Sequence, residues 1–164
     1  MCDLTFKTVL QTDLEQCIPV IRGAFDTVAE DFGLTRQNCP TNPAFIKDIH
    51  LQQDYEKGNR MIALMSDKQI VGFMQLEQGE AGIYYLKNVA VLPAHRHLGY
   101  GKKLLDYAKD SVLALGGDTI RIGIIEENIV LKDWYAKHGF NHTGTKKFDH
   151  LPFTVGFMEM KLDV

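Results

Sequence analysis

Residues 84–105 read YYLKNVAVLPAHRHLGYGKKLL, and the segments on either side make sense as support for this stretch. It opens as a strand. Leu86, Val89, Val91 and Leu92 are apolar, and the β-branched pair Val89 and Val91 occupies alternate positions. Pro93 stops the ladder because it has no N–H to donate. A basic loop, His95-Arg96-His97-Leu98, leads to Gly99 and Gly101. An amphipathic helix then starts near Tyr100, with Leu104, Leu105, Ala108, Val112 and Leu115 on one face.

Such a strand–loop–helix has specific chemistry. The first helical turn carries N–H groups with no internal partner, and the macrodipole adds partial positive charge there. Gly99 and Gly101 remove side chains that would keep an anion away, and Arg96, Lys102 and Lys103 add full charges. The expectation is a phosphate or pyrophosphate site. A P-loop is excluded by spacing, since Arg96 stands where its first glycine belongs and Lys103 follows Gly101-Lys102. A dinucleotide fingerprint is excluded by Leu104 at its last position. What remains is Arg-x-x-Gly-x-Gly. Six residues of this kind also occur in turns that bind nothing, so the context has to decide.

A chain of 164 residues suits one domain, 1–164, with a sizeable core. At 45% hydrophobic and 24% charged residues the composition is that of an ordinary globular protein. The net charge of −3 gives no electrostatic footprint for nucleic acid. No apolar run is long enough to cross a membrane, and the start MCDLTFKTVL lacks a secretory pattern. Cys2, Cys17 and Cys39 show no paired spacing, so they read as buried or incidental thiols in a reducing cytoplasm. His95-x-His97 has a metal-like spacing but no evident third ligand, and no metal is expected.

Taken in order, residues 4–10 alternate as a first strand. Thr12 and Glu15 have capping-box spacing for a helix with Leu14, Cys17, Ile18, Ile21, Phe25 and Val28 on one face. Pro19 either kinks that helix or begins a separate one. Prolines 40 and 43 keep residues 34–43 irregular, and Thr41 or Asn42 caps a second helix running through Phe45, Ile46, Ile49 and Tyr55. Strands follow at 60–65 and 69–77, then the opening stretch. A strand at 119–125 is expected to lie parallel to the one before the helix, as a βαβ unit requires. A helix at about 129–138 ends on Gly139, and strands near 141–148 and 153–162 finish the chain. The order β, α, α, β, β, β, α, β, α, β, β implies a mixed α/β sheet with helices on both faces.

The segment Asn128-Ile129-Val130-Leu131-Lys132-Asp133-Trp134-Tyr135-Ala136-Lys137-His138-Gly139-Phe140 supplies the deciding context. An Asn after the fifth strand, then a helix ending Tyr-x-x-x-Gly-Phe, joined to Val-Ala-Val-Leu-Pro and Arg-x-x-Gly-x-Gly, resembles the GNAT superfamily of acyl-coenzyme A-dependent N-acetyltransferases. The resemblance covers residues 4–162. On residues alone, Asn128 is also a good N-cap and Tyr135 a plausible core aromatic.

The resemblance implies a seven-stranded mixed sheet, splayed between its fourth and fifth strands, with acetyl-coenzyme A in the gap. Backbone groups at Val89, Ala90 and Val91 would hold the pantetheine arm as an added strand does, and one N–H would polarise the thioester carbonyl. Arg96, His97, Leu98, Gly99, Tyr100, Gly101 and Lys102 would hold the pyrophosphate. The Asn128 side chain would bond the arm, and the Tyr135 hydroxyl would protonate the leaving thiolate. The acceptor would be a primary amine of a small molecule, attacking directly. The alternatives are a protein or peptide amine, or a module that binds coenzyme A without catalysis. A free alkyl amine has a pKa of roughly 10, so a base has to take its proton. Some family members carry a Glu for this at the position of Gly123. Glu77, Glu126, Glu127, Tyr84, Tyr85, His150 or a water relay remain open. Segment 30–43 is a candidate lid, and the resemblance allows a homodimer.

Overall fold

The computed structural model describes residues 3–163. Its elements are β1 (Leu4–Thr8), α1 (Leu14–Asp31), α2 (Asp48–Glu56), β2 (Arg60–Ser66), β3 (Gln69–Gln78), β4 (Ile83–Val91), α3 (Tyr100–Ala114), β5 (Thr119–Ile125), α4 (Ile129–Lys137), β6 (Asn141–Lys147) and β7 (Thr154–Lys161), in the expected order. The strands form one sheet, β1-β2-β3-β4-β5-β7-β6. Every neighbouring pair is antiparallel except β4 and β5, which the α3 crossover forces to be parallel.

Each face of the sheet has its own core. On one face Leu104, Leu105, Ala108 and Val112 of α3 pack on Leu64, Met74, Leu86 and Ile120, with Tyr135 and Phe140 beside them. On the other, Leu14, Cys17, Ile18, Ile21 and Ala24 of α1 and Leu51 of α2 pack on Met61, Ala63, Phe73 and Ala90. Full burial of a side chain such as Leu104, Val112 or Ile21 stabilises the fold by roughly 1.5–3 kcal/mol.

Several local expectations change. β1 ends at Thr8, although the Val9 N–H still reaches the Met61 carbonyl at 2.9 Å. Thr12 lies inside a short 3-10 turn that Asp13 ties back rather than capping α1: its carboxylate accepts the Leu10 N–H at 2.9 Å and the Lys7 ammonium at 2.9 Å. α1 then runs through Pro19 as one helix. The expected second helix is two pieces. Asn42 caps a 3-10 turn, Pro43–Phe45, by accepting the Ala44 N–H at 2.9 Å. Ile46 is extended, buried, and held through its carbonyl by Arg22 Nε at 2.7 Å, so α2 has to start afresh at Asp48. Cys17 and Cys39 are buried free thiols, and desolvation pushes the Cys17 thiol up to about 12. Cys2 lies outside the described residues. Among those residues no helix is long and apolar enough to cross a membrane.

β4 and β5 pair at only three positions, ending at Tyr85–Arg121. Beyond that they part, and β5 continues against β7 alone. This is the splay on which the functional site is built.

Candidate active site

The parting strands open a cavity of about 1680 Å³ between the N-termini of α3 and α4 and the α1–α2 side of the sheet. Of the residues singled out in the sequence, Val89, Val91, Arg96, His97, Gly99, Tyr100, Gly101, Lys102, Asn128 and Tyr135 border it. Ala90 and Leu98 do not. The Ala90 side chain is sunk in the core beneath α1, and Leu98 is 57% exposed on the loop.

Ala90 is turned away by a bulge that strand alternation does not reveal. On β3, Phe73 and Gln75 face Ala90 and Lys87, so two steps on β3 meet three on β4. The extra residue lies at Asn88–Val89, where Asn88 adopts the left-handed conformation at φ 54°. Before the bulge Tyr84 and Leu86 face α3; after it Val89 and Val91 do, and Ala90 faces α1. Leu92 donates to the Val71 carbonyl on β3 at 2.9 Å. Alternation therefore aims the Val91 N–H at the open edge toward β5. An unpaired strand edge of this kind is the complement of an extended amide-bearing ligand.

At the far end, α3 begins on Gly99 with no side-chain cap, and its first internal bond is Lys103 N–H to the Gly99 carbonyl. The N–H groups of Tyr100, Gly101 and Lys102 are thus free for an anion. The two glycines serve different ends. Gly99 sits at φ 82°, where a side chain is strained although a Cβ would touch nothing within 4 Å. At Gly101 a Cβ would lie 3.0 Å from the Trp134 ring on α4, so a side chain there would have to push the ring aside. Arg96 has a bracing role that the sequence did not suggest. Its guanidinium donates to the Ala24 carbonyl at 2.6 Å, Thr27 Oγ1 at 3.1 Å and the Val91 carbonyl at 3.2 Å, so it braces the loop against α1 and β4. Lys102 pairs with Asp106 at 2.7 Å. A coenzyme A molecule fits what is present: an anion cradle at one end and an unpaired strand edge leading inward from it.

On α4, Asn128 Oδ1 accepts the Leu131 N–H at 3.2 Å. Its capping role is real, and its amide nitrogen has no partner among the described residues. Tyr135 is buried edge-on between Trp134 and Phe140. No fully buried side-chain polar atom among the described residues lacks a partner, and the Tyr135 hydroxyl has none. The hydroxyl therefore opens onto the cavity. Desolvation raises its pKa well above the ordinary phenol value, so it stays protonated.

Of the six side chains weighed as bases, only Glu127 borders the cavity, and both its oxygens lie against the Thr154 N–H at 3.1 and 3.2 Å. Glu77 is held by Lys57 at 2.9 Å, Lys87 at 3.1 Å and Asn59, which lower its carboxyl to about 2. Lys132 and His142 pair with Glu126 and lower it too. Tyr84 lies in the core, Tyr85 beside Arg121, and His150 against Phe148. The sequence reading missed two groups on the α2 side of the cavity, His50 and Asp54. Nothing in the local sequence of α2 marks them, because the sheet beneath supplies their context.

The family model for the GNAT acetyltransferases matches residues 27–140. The chain belongs to the GNAT acetyltransferase family. It is an acetyltransferase using acetyl-coenzyme A. Among curated relatives, streptothricin acetyltransferase of Escherichia coli is 24% identical over 131 residues, 80% of this chain and 75% of that protein. Among solved structures, the ribosomal-protein-S18-alanine N-acetyltransferase of E. coli superposes with a TM-score of 0.79 at 16% identity, covering 99% of this chain and 96% of that one. The PaiA N-acetyltransferase of Thermoplasma acidophilum, solved in complex with coenzyme A, gives 0.75 at 20% identity, covering 97% and 99%. At such identities the two structures speak for the fold of this family member, and their acceptors remain their own.

Proposed function

We propose that the protein acetylates a primary amine of a small molecule by direct attack on the thioester. Acetyl-coenzyme A supplies the activated acetyl group. The Tyr100, Gly101 and Lys102 N–H groups hold the pyrophosphate, and the Val91 N–H and the Asn128 side chain align the arm. A backbone N–H at the bulge, from Val89 or Val91, stabilises negative charge on the thioester oxygen. Tyr135 stays neutral at working pH and gives its proton to the departing sulfur.

The observation that supports a small acceptor is the third apolar cluster. Leu34, Cys39 and Ala44, from segment 30–43 and just beyond, pack with Ile125 at the end of β5 and with Leu151 and Phe153 before β7. Segment 30–43 thus spans the acceptor side of the splay, and its residues Arg36, Pro40 and Thr41 border the cavity. A peptide would need that side open.

The test is a panel of small amines and N-terminal peptides, read by release of free thiol. Small amines are expected to turn over at least tenfold better in kcat/KM than peptides. Tyr135→Phe is expected to lower kcat by about 10²-fold or more, the scale of a lost general acid, while coenzyme A affinity stays within about threefold. Full kcat in Tyr135→Phe would remove its catalytic role. Turnover of peptides alone would overturn the acceptor class, and tight coenzyme A binding with no turnover of any amine would leave a non-catalytic module.

A further inference from the structure

The acceptor side of the cavity has to supply a proton acceptor, and one carboxylate there is both available and built in. Asp54 on α2 borders the cavity. Its Oδ2 accepts from Gln75 Nε2 at 3.1 Å, and its Oδ1 has no partner among the described residues. Gln75 is wholly buried on β3 and is itself fixed, because its Oε1 accepts from Asn59 Nδ2 at 2.9 Å. A glutamine with no solvent access is costly unless both ends of its amide are used. Here both are, and one of them orients Asp54.

The register places this carboxylate near the chemistry. Gln75 is opposite Lys87 on β4, and Lys87 borders the cavity one residue before the bulge. Across the splay, two residues beyond the last β4–β5 pair, the matching position is Gly123, whose missing side chain leaves the space open. The titratable groups around Asp54 are His50 and Lys57 on α2 and just after it, Glu77 on β3 and Lys87 on β4. Glu77 is consumed by the two lysines. Of the other carboxylates and histidines on the cavity, Asp31 is exposed at the C-terminal end of α1 with no partner among the described residues to orient it, and His95 and His97 lie on the loop before α3. The remaining three are already engaged. Glu127 is bonded to the Thr154 N–H. His50 Nδ1 accepts the Lys47 N–H at 3.2 Å, leaving its proton on Nε2. His138 Nδ1 donates to the Trp134 carbonyl at the α4 end.

We propose that Asp54 is the group that takes the acceptor's proton, directly or through one water, and that Gln75 is its positioning residue. This rests on the acetyltransferase reading with an amine acceptor given above. As the nitrogen lone pair forms the N–C bond and the C–S bond breaks, the amine proton passes to Asp54 and the Tyr135 proton to sulfur. Asp54 then releases its proton to solvent, and the Tyr135 phenolate regains one from there.

The experiment measures kcat/KM against pH for the best amine, beside coenzyme A affinity by calorimetry. Asp54→Asn is expected to lower kcat/KM by about 10²-fold, with coenzyme A affinity within about threefold, and to leave a rate that rises with pH well beyond the wild-type plateau. Asp54→Glu restores part of the rate. Gln75→Met, which frees Asp54 without removing it, lowers kcat/KM by a smaller factor. Wild-type turnover with Asp54→Asn within twofold at every pH overturns the assignment of Asp54 and leaves the acetyltransferase reading standing. A wild type that binds coenzyme A but turns over no amine overturns both. Should Asp54→Asn lose coenzyme A binding, the Gln75→Met and Asp54→Glu profiles decide: unchanged rates in both overturn the proposal.

Discussion

Single residues in this protein often carry a role different from the one their chemistry first suggests. Arg96 has the charge for a phosphate, and three of its five N–H donors go to the Ala24 and Val91 carbonyls and Thr27, so it also holds the loop in shape. Glu77 has the chemistry of a base, yet Lys57, Lys87 and Asn59 hold its carboxyl near 2. A carboxyl depressed in the folded state stabilises the fold above its ordinary value of 4.5, and that contribution fades as pH falls toward 2. Glu77→Gln is therefore expected to be less stable than the wild type at pH 6, with the difference shrinking between pH 4.5 and 2. Urea titrations across that range check it; a difference that is flat with pH contradicts the assignment.

Among the elements, β4 matters most, and its bulge is the decisive feature. One extra residue at Asn88–Val89 reverses which face each later side chain occupies and leaves the Val91 N–H on an edge without a strand partner. Asn tolerates the left-handed conformation at φ 54°, whereas a β-branched residue does not. Asn88→Val is expected to cost about 1–2 kcal/mol of stability and, on the proposed mechanism, to lower kcat more than coenzyme A affinity, because it displaces the N–H proposed as oxyanion donor. Asn88→Gly is expected to be the milder of the two in thermal denaturation and in kcat. Equal effects from both substitutions would show that the side chain, not the backbone conformation, matters. The two pieces that replace the expected second helix make the same point. Ile46 is buried and extended because Arg22 on α1 holds its carbonyl, a partner 24 residues away in sequence.

For the molecule as a whole, the proposed cofactor cleft follows the gap where β4 and β5 part, beside the starts of α3 and α4. β4 and β5 share three pairs, and α3 and α4 meet at Gly101 and Trp134. A ligand spanning the splay binds the folded state alone. At a hundredfold excess over Kd it adds about 2.7 kcal/mol, which for a chain of this size raises Tm by roughly 5–10 °C. Differential scanning fluorimetry with coenzyme A reads this directly, and no shift at saturating ligand would contradict the cleft.

Element order, the parallel β4–β5 pair and the two motifs were legible in the sequence, because they rest on local rules: hydrophobic period, proline and glycine stops, and the parallel geometry a helical crossover imposes. That Tyr135 and the α3 N-terminus share one cavity was implied by the family resemblance of those motifs, not by the local rules. They did not show that Arg96 is a brace, that Ala90 faces away from the cleft, or that Gln75 aims Asp54 into it. Each of these depends on a register shift or on a hydrogen bond between residues far apart in the chain. Local composition carries no record of such partners, so they exist only once the sheet has assembled and its two faces have been covered.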